Sequence, residues 1–287
     1  MIPPSFGYHA PRSLGEALTL LTDLGDDVKL LAGGHSLLPM MKLRFAQPGA
    51  LIDINRIPEL RGIREEGGFI RIGAMSSESD LIASTLLQER LPLLPEAALL
   101  IADPQVRNRG TIGGDIAHGD PGNDHPAIAM ALDATFVLQG PKGERQVKAV
   151  DFFHGTYMTA LAENEILTAI LVAPFQSGTG YAYQKLKRKT GDWATAGAAV
   201  VLRMAGGVVT QISIGLTNVA PTALRARVAE AALLGKPVND ATLAVAAQAV
   251  RDVCEPAEDL RGDIEYKTAM ASEMVKRAIR AAAARCS

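Results

Sequence analysis

Two glycine pairs set beside short apolar runs limit the folds open to this chain. The first, Gly33-Gly34, follows Val28 to Leu31 and continues as His35-Ser36-Leu37. The second lies in Gly110-Thr111-Ile112-Gly113-Gly114-Asp115. Glycine lets backbone approach a ligand closely and adopt positive φ, so that successive N–H groups converge on an anion. Ser36 and Thr111 add hydroxyls, and a helix starting after Ser36 would add its first amides. Two such loops from separate parts of a fold can clamp a pyrophosphate from both sides. The conventional phosphate fingerprints are missing: no G-x-G-x-x-G follows a strand, and no G-x-x-x-x-G-K-[ST] occurs.

Tight turns alone would explain a lone glycine pair, but both loops also carry serine, threonine or aspartate. The second continues into Gly119-Asp120-Pro121-Gly122-Asn123-Asp124-His125. Asp103 to Pro126 therefore reads as one long unstructured passage, and loops of that length in a compact domain are usually functional. His118, Asp120, Asp124 and His125 within it are metal-ligand types. Pro121, Gly122 and Pro126 make their spacing irregular, and it fits no helix face, so nucleotide contact is the preferred reading.

Around these loops the pattern is α+β in two parts. Ser13 with Glu16 forms a capping box for a helix with Leu18, Leu21 and Leu24 on one side, stopped by Gly25. Strands are expected at Val28 to Leu31 and Leu51 to Ile54, with a hairpin pairing 61–65 and 69–74 across Glu66-Gly67-Gly68. Helical stretches follow, then a helix at 126–132, strands near 134–139 and 145–149, and a strand ending at Pro174. Small and polar residues at 176–180 mark a linker, dividing the chain near residue 177. Beyond it, a hairpin of 195–205 with 208–217 precedes helices at about 223–234, 240–253 and 264–285. In the last helix, Tyr266, Met270 and Met274 read as a core stripe.

A chain of 287 residues has room for about two domains. Its 29 basic and 31 acidic residues nearly cancel, which leaves no footprint for nucleic acid or an anionic membrane surface. No apolar run approaches the roughly 20 residues of a membrane span, and the N-terminal sequence has no leader pattern. Cys254 and Cys286 are the only cysteines, too few for an iron–sulfur cluster and outside any C-x-x-C, as expected of reduced thiols in the cytoplasm. There is no G-x-S-x-G and no H-E-x-x-H. The chain reads as a cofactor holder whose substrate binds elsewhere.

AGGHSLLPMMKLR, together with TIGGDIAHGDPGNDHPAIAMALDA, resembles the paired flavin-binding loops of the FAD-carrying subunits of molybdenum hydroxylases. The likeness continues through GYAYQKLKRKTGDWATAGAAV and RGDIEYKTAMASEMVKRAI. ADPQVRNRGTIGGD, YQKLKRKTGDWATA and SIGLTNVAPT are most similar to the branch that oxidises carbon monoxide. The resemblance implies an FAD-binding domain of vanillyl-alcohol-oxidase type over residues 1–177, in subdomains of about 1–56 and 57–177. A C-terminal domain over 178–287, a small antiparallel sheet with a helix bundle, would follow.

It also implies partners: a large subunit with molybdenum, a pterin dinucleotide and copper, and a small iron–sulfur subunit, in a dimer of heterotrimers. Electrons would pass from the clusters through FAD to a quinone-type acceptor, placing the assembly in the cytoplasm against the inner face of the membrane. By the same resemblance, Ala32, Gly33, Gly34, His35 and Ser36 would hold the pyrophosphate with Thr111, Gly113, Gly114 and Asp115. Asp124 would bind ribose hydroxyls, and Ile101, Ala102 and Leu167 would flank ring systems. Lys185 would sit near the flavin, with Asp192 and Trp193 over the isoalloxazine; Lys29, Leu37, Gly110 and Asn123 complete the set.

Two positions depart from the family pattern. Asp115 stands where Asn is frequent, and a carboxylate there would repel a pyrophosphate unless it turned to backbone amides. Trp193 replaces a commoner Tyr, though either ring can stack on a flavin. A flavin subunit acting with a purine or N-heterocycle hydroxylase, a stand-alone flavin reductase or oxidase, and a redox-inactive nucleotide module remain as alternatives.

Overall fold

The computed structural model describes residues 2–286. Strand β1 (Gly7–His9), helix α1 (Leu14–Leu24), β2 (Val28–Leu31), α2 (Leu37–Leu43) and β3 (Ala50–Asp53) form a small parallel unit, with strand order β1-β3-β2. The Ser13 hydroxyl accepts from the Glu16 amide at 3.2 Å and Gly25, at φ 67°, ends the helix. The Glu16 carboxylate reaches one residue further back than a capping box requires, to the Arg12 amide at 2.8 Å.

The middle of the chain supplies β4 (Ile63–Glu66), β5 (Phe69–Gly73), α3 (Glu78–Ala83), α4 (Thr85–Arg90), α5 (Leu93–Ala98) and α6 (Pro104–Arg107). It continues with α7 (Ile112–His118), α8 (Asp124–Ala131), β6 (Thr135–Gly140), β7 (Gly143–Lys148), β8 (Phe153–Gly155), β9 (Met158–Thr159) and β10 (Ile166–Val172). Five of these strands make an antiparallel sheet of order β4-β5-β10-β6-β7. Gly67 and Gly68, both at positive φ, form the tight turn whose twist matches that of the β4–β5 hairpin.

The remaining elements are β11 (Thr179–Leu186), β12 (Ala196–Ala205), β13 (Val208–Thr217), β14 (Leu224–Arg225), α9 (Arg227–Leu233), α10 (Asp240–Arg251) and α11 (Ile264–Ala283). The four strands form a second antiparallel sheet in chain order. Alternation along β12 serves two cores. Ala198, Val200 and Leu202 pack with the C-terminal helices, while Ala199 and Val201 turn to the core that contains α8. All eight residues of α8 are buried, because it lies against the second sheet on one side and the first core on the other. That contact is close enough that a Cβ on Gly215 of β13 would fall onto the Ala127 carbonyl oxygen.

The α+β class and the antiparallel C-terminal sheet with its helices are as the sequence suggests. Several details differ. The passage from 103 to 126 is not unstructured, since it contains α6, α7 and the start of α8. Leu24 is exposed and Ala17 takes its place on the buried face of α1. Tyr266 is 45% exposed, so the core stripe of α11 runs through Lys267, Ala271, Met274 and Val275 instead. Residues 224 and 225 extend the sheet as β14 before a helix that begins only at Arg227. Strand β11, which begins inside the expected linker, has no counterpart in the sequence reading.

Candidate functional site

The first glycine loop leaves the end of β2 and turns into α2. Gly34 takes φ +76°, open to glycine and strained for other residues, and its carbonyl accepts the Leu38 amide at 3.0 Å. Asn55, just beyond the parallel neighbour β3, donates to the Ala32 carbonyl at 2.8 Å and pins the loop from behind. His35 is exposed, with Nδ1 2.9 Å from the Gly33 carbonyl. Among the described residues, the backbone amides of Gly33, Gly34, His35 and Ser36 donate to no protein acceptor. Leu37 opens α2, half-buried.

The second loop is the first turn of α7. Thr111 is its N-cap, with its hydroxyl accepting the Gly114 amide at 3.2 Å. Gly113 donates to the Ala74 carbonyl at 2.9 Å, and a Cβ on it would stand 2.5 Å from the Ala74 Cβ. Glycine is therefore what lets α7 lie against the chain leaving β5. The two loops touch each other. A Cβ on Gly33 would collide with the Arg109 carbonyl oxygen and stand 3.0 Å from the Gly110 Cα. A Cβ on Gly114 would lie 3.7 Å from the Ala32 Cβ.

Behind this contact lies a buried polar cluster. His125 donates from Nε2 to both Glu78 oxygens at 2.9 Å, and its Nδ1 has no partner among the described residues. Burial works against its charge, but the Glu78 carboxylate and its hydrogen bond raise His125 to about 9. Burial also pushes the Asp115 carboxyl up to about 8, opposed by His125 and reinforced by Glu78, Asp124 and Asp120. Burial and the neighbouring carboxylates thus favour the neutral acid at Asp115. Asn123 donates from Nδ2 to the Asp115 backbone carbonyl at 3.0 Å and so ties α7 to the start of α8.

Asp124 and Lys185 come together as a buried ion pair of 2.7 Å. The other Asp124 oxygen accepts from the Tyr183 hydroxyl, which also meets Thr217 at 3.3 Å. Both partners of β11 therefore bind the N-terminal end of α8 rather than projecting into solvent. Asp192 is likewise turned inward: burial would raise its pKa, but hydrogen bonds from Arg188 and then Arg261 bring it down to about 2. Trp193 is different. Its ring is half-exposed, with Nε1 donating to Asn123 at 3.4 Å and the Arg261 guanidinium 5.5 Å from its centre.

Ile101 is buried and Ala102 sits at φ +47°, in a turn whose carbonyls accept from Arg107 and Lys187. Leu167 packs in the core around β10, and Lys29 is exposed on β2. The structure thus gathers both glycine loops, Asp115, Asn123, Asp124, Lys185, Asp192 and Trp193 into one connected region, and leaves Leu167 in the core. Sequence reasoning missed Glu78, Asn55, Arg107 and Arg261. No local pattern marks them, because each acts on a partner distant in sequence or on a backbone carbonyl. The cluster His118, Asp120, Asp124 and His125 does not converge, and among the described residues no group of three or more His, Cys, Asp or Glu side chains could hold a metal.

Residues 4–174 match the family model described as the FAD-binding domain in molybdopterin dehydrogenase, and residues 181–282 match the CO dehydrogenase flavoprotein C-terminal domain. The chain is 68% identical over 286 residues to the carbon monoxide dehydrogenase medium chain of Hydrogenophaga pseudoflava, covering 100% of each. It is 51% identical to the corresponding chain of Afipia carboxidovorans, covering 99% of each. A solved carbon monoxide dehydrogenase of Hydrogenophaga pseudoflava, lacking the Mo-pyranopterin moiety of its cofactor, superposes with a TM-score of 0.99 at 70% identity, covering 100% of both chains.

Proposed function

The chain belongs to the family of FAD-binding subunits of the molybdopterin dehydrogenases, and we propose that it is the flavin subunit of a carbon monoxide dehydrogenase. What carries this reading is the contact between two glycine loops, with free amides on one and the Thr111-capped first turn of α7 as the other. The residues fit the cofactor: the loops offer donors and close backbone approach to the pyrophosphate, and glycine is required where a Cβ would close the cradle. FAD, when bound, supplies exchange between one-electron and two-electron carriers. The chain binds and orients it.

On this reading Gly33, Gly34, His35 and Ser36 give amides to the phosphates, and Thr111 to Asp115 close the other side. Trp193 covers one face of the ring system, held at that position by Asn123 and Arg261. Asp124 and Lys185 act one step back: their ion pair fixes β11 to α8 and so fixes the segment carrying Trp193 relative to the loops. We divide the chain near residue 177, with the FAD-binding part before it and the part that carries Trp193 after it.

Identities of 68% and 51% over whole chains support the carbon monoxide branch over a purine or N-heterocycle enzyme. Carbon monoxide would then be oxidised on a large molybdenum–copper subunit, and a small subunit would hold the iron–sulfur clusters that this chain, with two cysteines, has no thiolates to bind. The proposal extends to a dimer of heterotrimers that delivers electrons to a quinone-type acceptor at the cytoplasmic face of the membrane. Among the described residues no helix is long and apolar enough to cross a membrane.

The test is optical. The complex containing this chain should carry a flavin absorption band and oxidise carbon monoxide, and the separated chain should oxidise none. Trp193, the single tryptophan, gives a second readout. Its emission should rise when FAD is removed, because an indole against a flavin is quenched. Trp193→Ala should weaken FAD binding about three- to tenfold, the worth of an aromatic stack. Emission that is the same with and without FAD would place the indole elsewhere.

A further inference from the structure

We propose that Asp115 acts as a carboxylic acid, donating a hydrogen bond to an oxygen of the bound dinucleotide. The inference rests on the FAD reading above and adds a protonation state to it. Asp115 is half-buried, and its Oδ1 is shut off from solvent without a hydrogen-bond partner among the described residues. It stands in the first turn of α7, immediately after the Gly113-Gly114 pair that packs beside the Ala32 loop.

Titratable groups face it from several of the elements packed around it. Glu78 comes from α3, Asp120 from the turn before α8, Asp124 and His125 from α8, and Tyr183 from β11. The two cations nearby are already committed, His125 to Glu78 and Lys185 to Asp124. An ionised Asp115 would face three carboxylates, offset only by a His125 already paired with Glu78, and then the ligand phosphates. The acid form avoids both. Neither carboxyl oxygen has a protein hydrogen-bond partner among the described residues, and an oxygen of the dinucleotide supplies the acceptor for the acid's proton. The side chain then does what an asparagine amide would do at the same place.

The sign of the pH dependence follows from linkage. A ligand that accepts from the protonated form binds that form preferentially, and burial holds the free carboxyl at about 8. Affinity should be level below that point and fall about tenfold per pH unit above it, until the pKa of the loaded protein is reached. Asp115→Asn keeps a donor and has nothing to titrate.

The experiment uses the full chain purified with its partner subunits, stripped of FAD and reloaded between about pH 6 and about pH 10. Expected are a wild-type affinity that falls above about pH 8 and an Asp115→Asn affinity that does not follow it. Two parallel profiles would overturn the proposal. Infrared difference spectra of wild type, loaded minus stripped, provide a measurement that does not depend on the variant's folding. A protonated-carboxyl carbonyl band should shift on loading, and the absence of any such band overturns the proposal as well. Wild type that takes up FAD with a flat profile overturns this inference alone, whereas a complex that takes up no FAD at any pH overturns the function proposed for the chain.

Discussion

Asp124→Ala is expected to lower the unfolding free energy by about 3–5 kcal/mol, the range for removing one partner of a buried ion pair. The Lys185 side chain is 1% exposed, so its charge has no route to water once the carboxylate is gone. The same change takes the acceptor from the buried Tyr183 hydroxyl, leaving only Thr217 near it. Urea unfolding of wild type, Asp124→Ala, Lys185→Met and the double variant closes a cycle. Lys185→Met removes the cation and keeps the apolar stem, so the double variant should recover much of the loss. A double variant as unstable as the sum of the two single ones would mean that the two side chains do not interact.

Gly33→Val should abolish FAD retention. The added carbon would collide with the Arg109 carbonyl oxygen, a backbone atom fixed in the turn after α6, so the two loops must part. Overpacking of this kind costs about 1–3 kcal/mol, which the fold can survive and the cradle cannot. Far-ultraviolet dichroism should stay close to wild type while the flavin band disappears from the purified protein. Gly113→Val is the harsher variant, because its side chain would press on Ala74 at the end of β5 and disturb the five-stranded sheet. Full flavin occupancy in Gly33→Val would show that the loop contact is not the cofactor's cradle.

What was legible in the sequence was local. Ser13 and Gly25 bound α1, Gly67-Gly68 and Gly206-Gly207 turn their hairpins, and Gly33-Gly34 ends β2, all within a few residues of the signal. Helix α7 was missed because a glycine pair costs a helix roughly 2 kcal/mol in intrinsic preference. The Thr111 cap and the close approach to Ala74 override it, and the second is a contact 39 residues away (113 − 74). Strand β11 was missed because Tyr181 and Tyr183 alternate with residues that face a second core, blurring the polar–apolar pattern. The glycine loops and Trp193 could be picked out from the chain itself. Their support could not, since Glu78 lies 47 residues from His125, Lys185 lies 61 from Asp124 and Arg261 lies 69 from Asp192.

Helix α8 carries one more implication. It is clad in apolar side chains on every side except its first turn, and most of its cover comes from β12, β13 and β14. A fragment ending near residue 177 would therefore expose Ala127 and neighbouring apolar residues to water, a sticky ridge that invites aggregation. The seam between residues 174 and 181, where one family match stops and the next begins, is a boundary along the chain but not through its interior. For a ribosome making this protein, helix α8, which stands behind the proposed cradle, lacks its cover until the second sheet has been synthesised and has closed over it. If the loops hold the dinucleotide as proposed, a chain truncated before that sheet is expected to retain none of it.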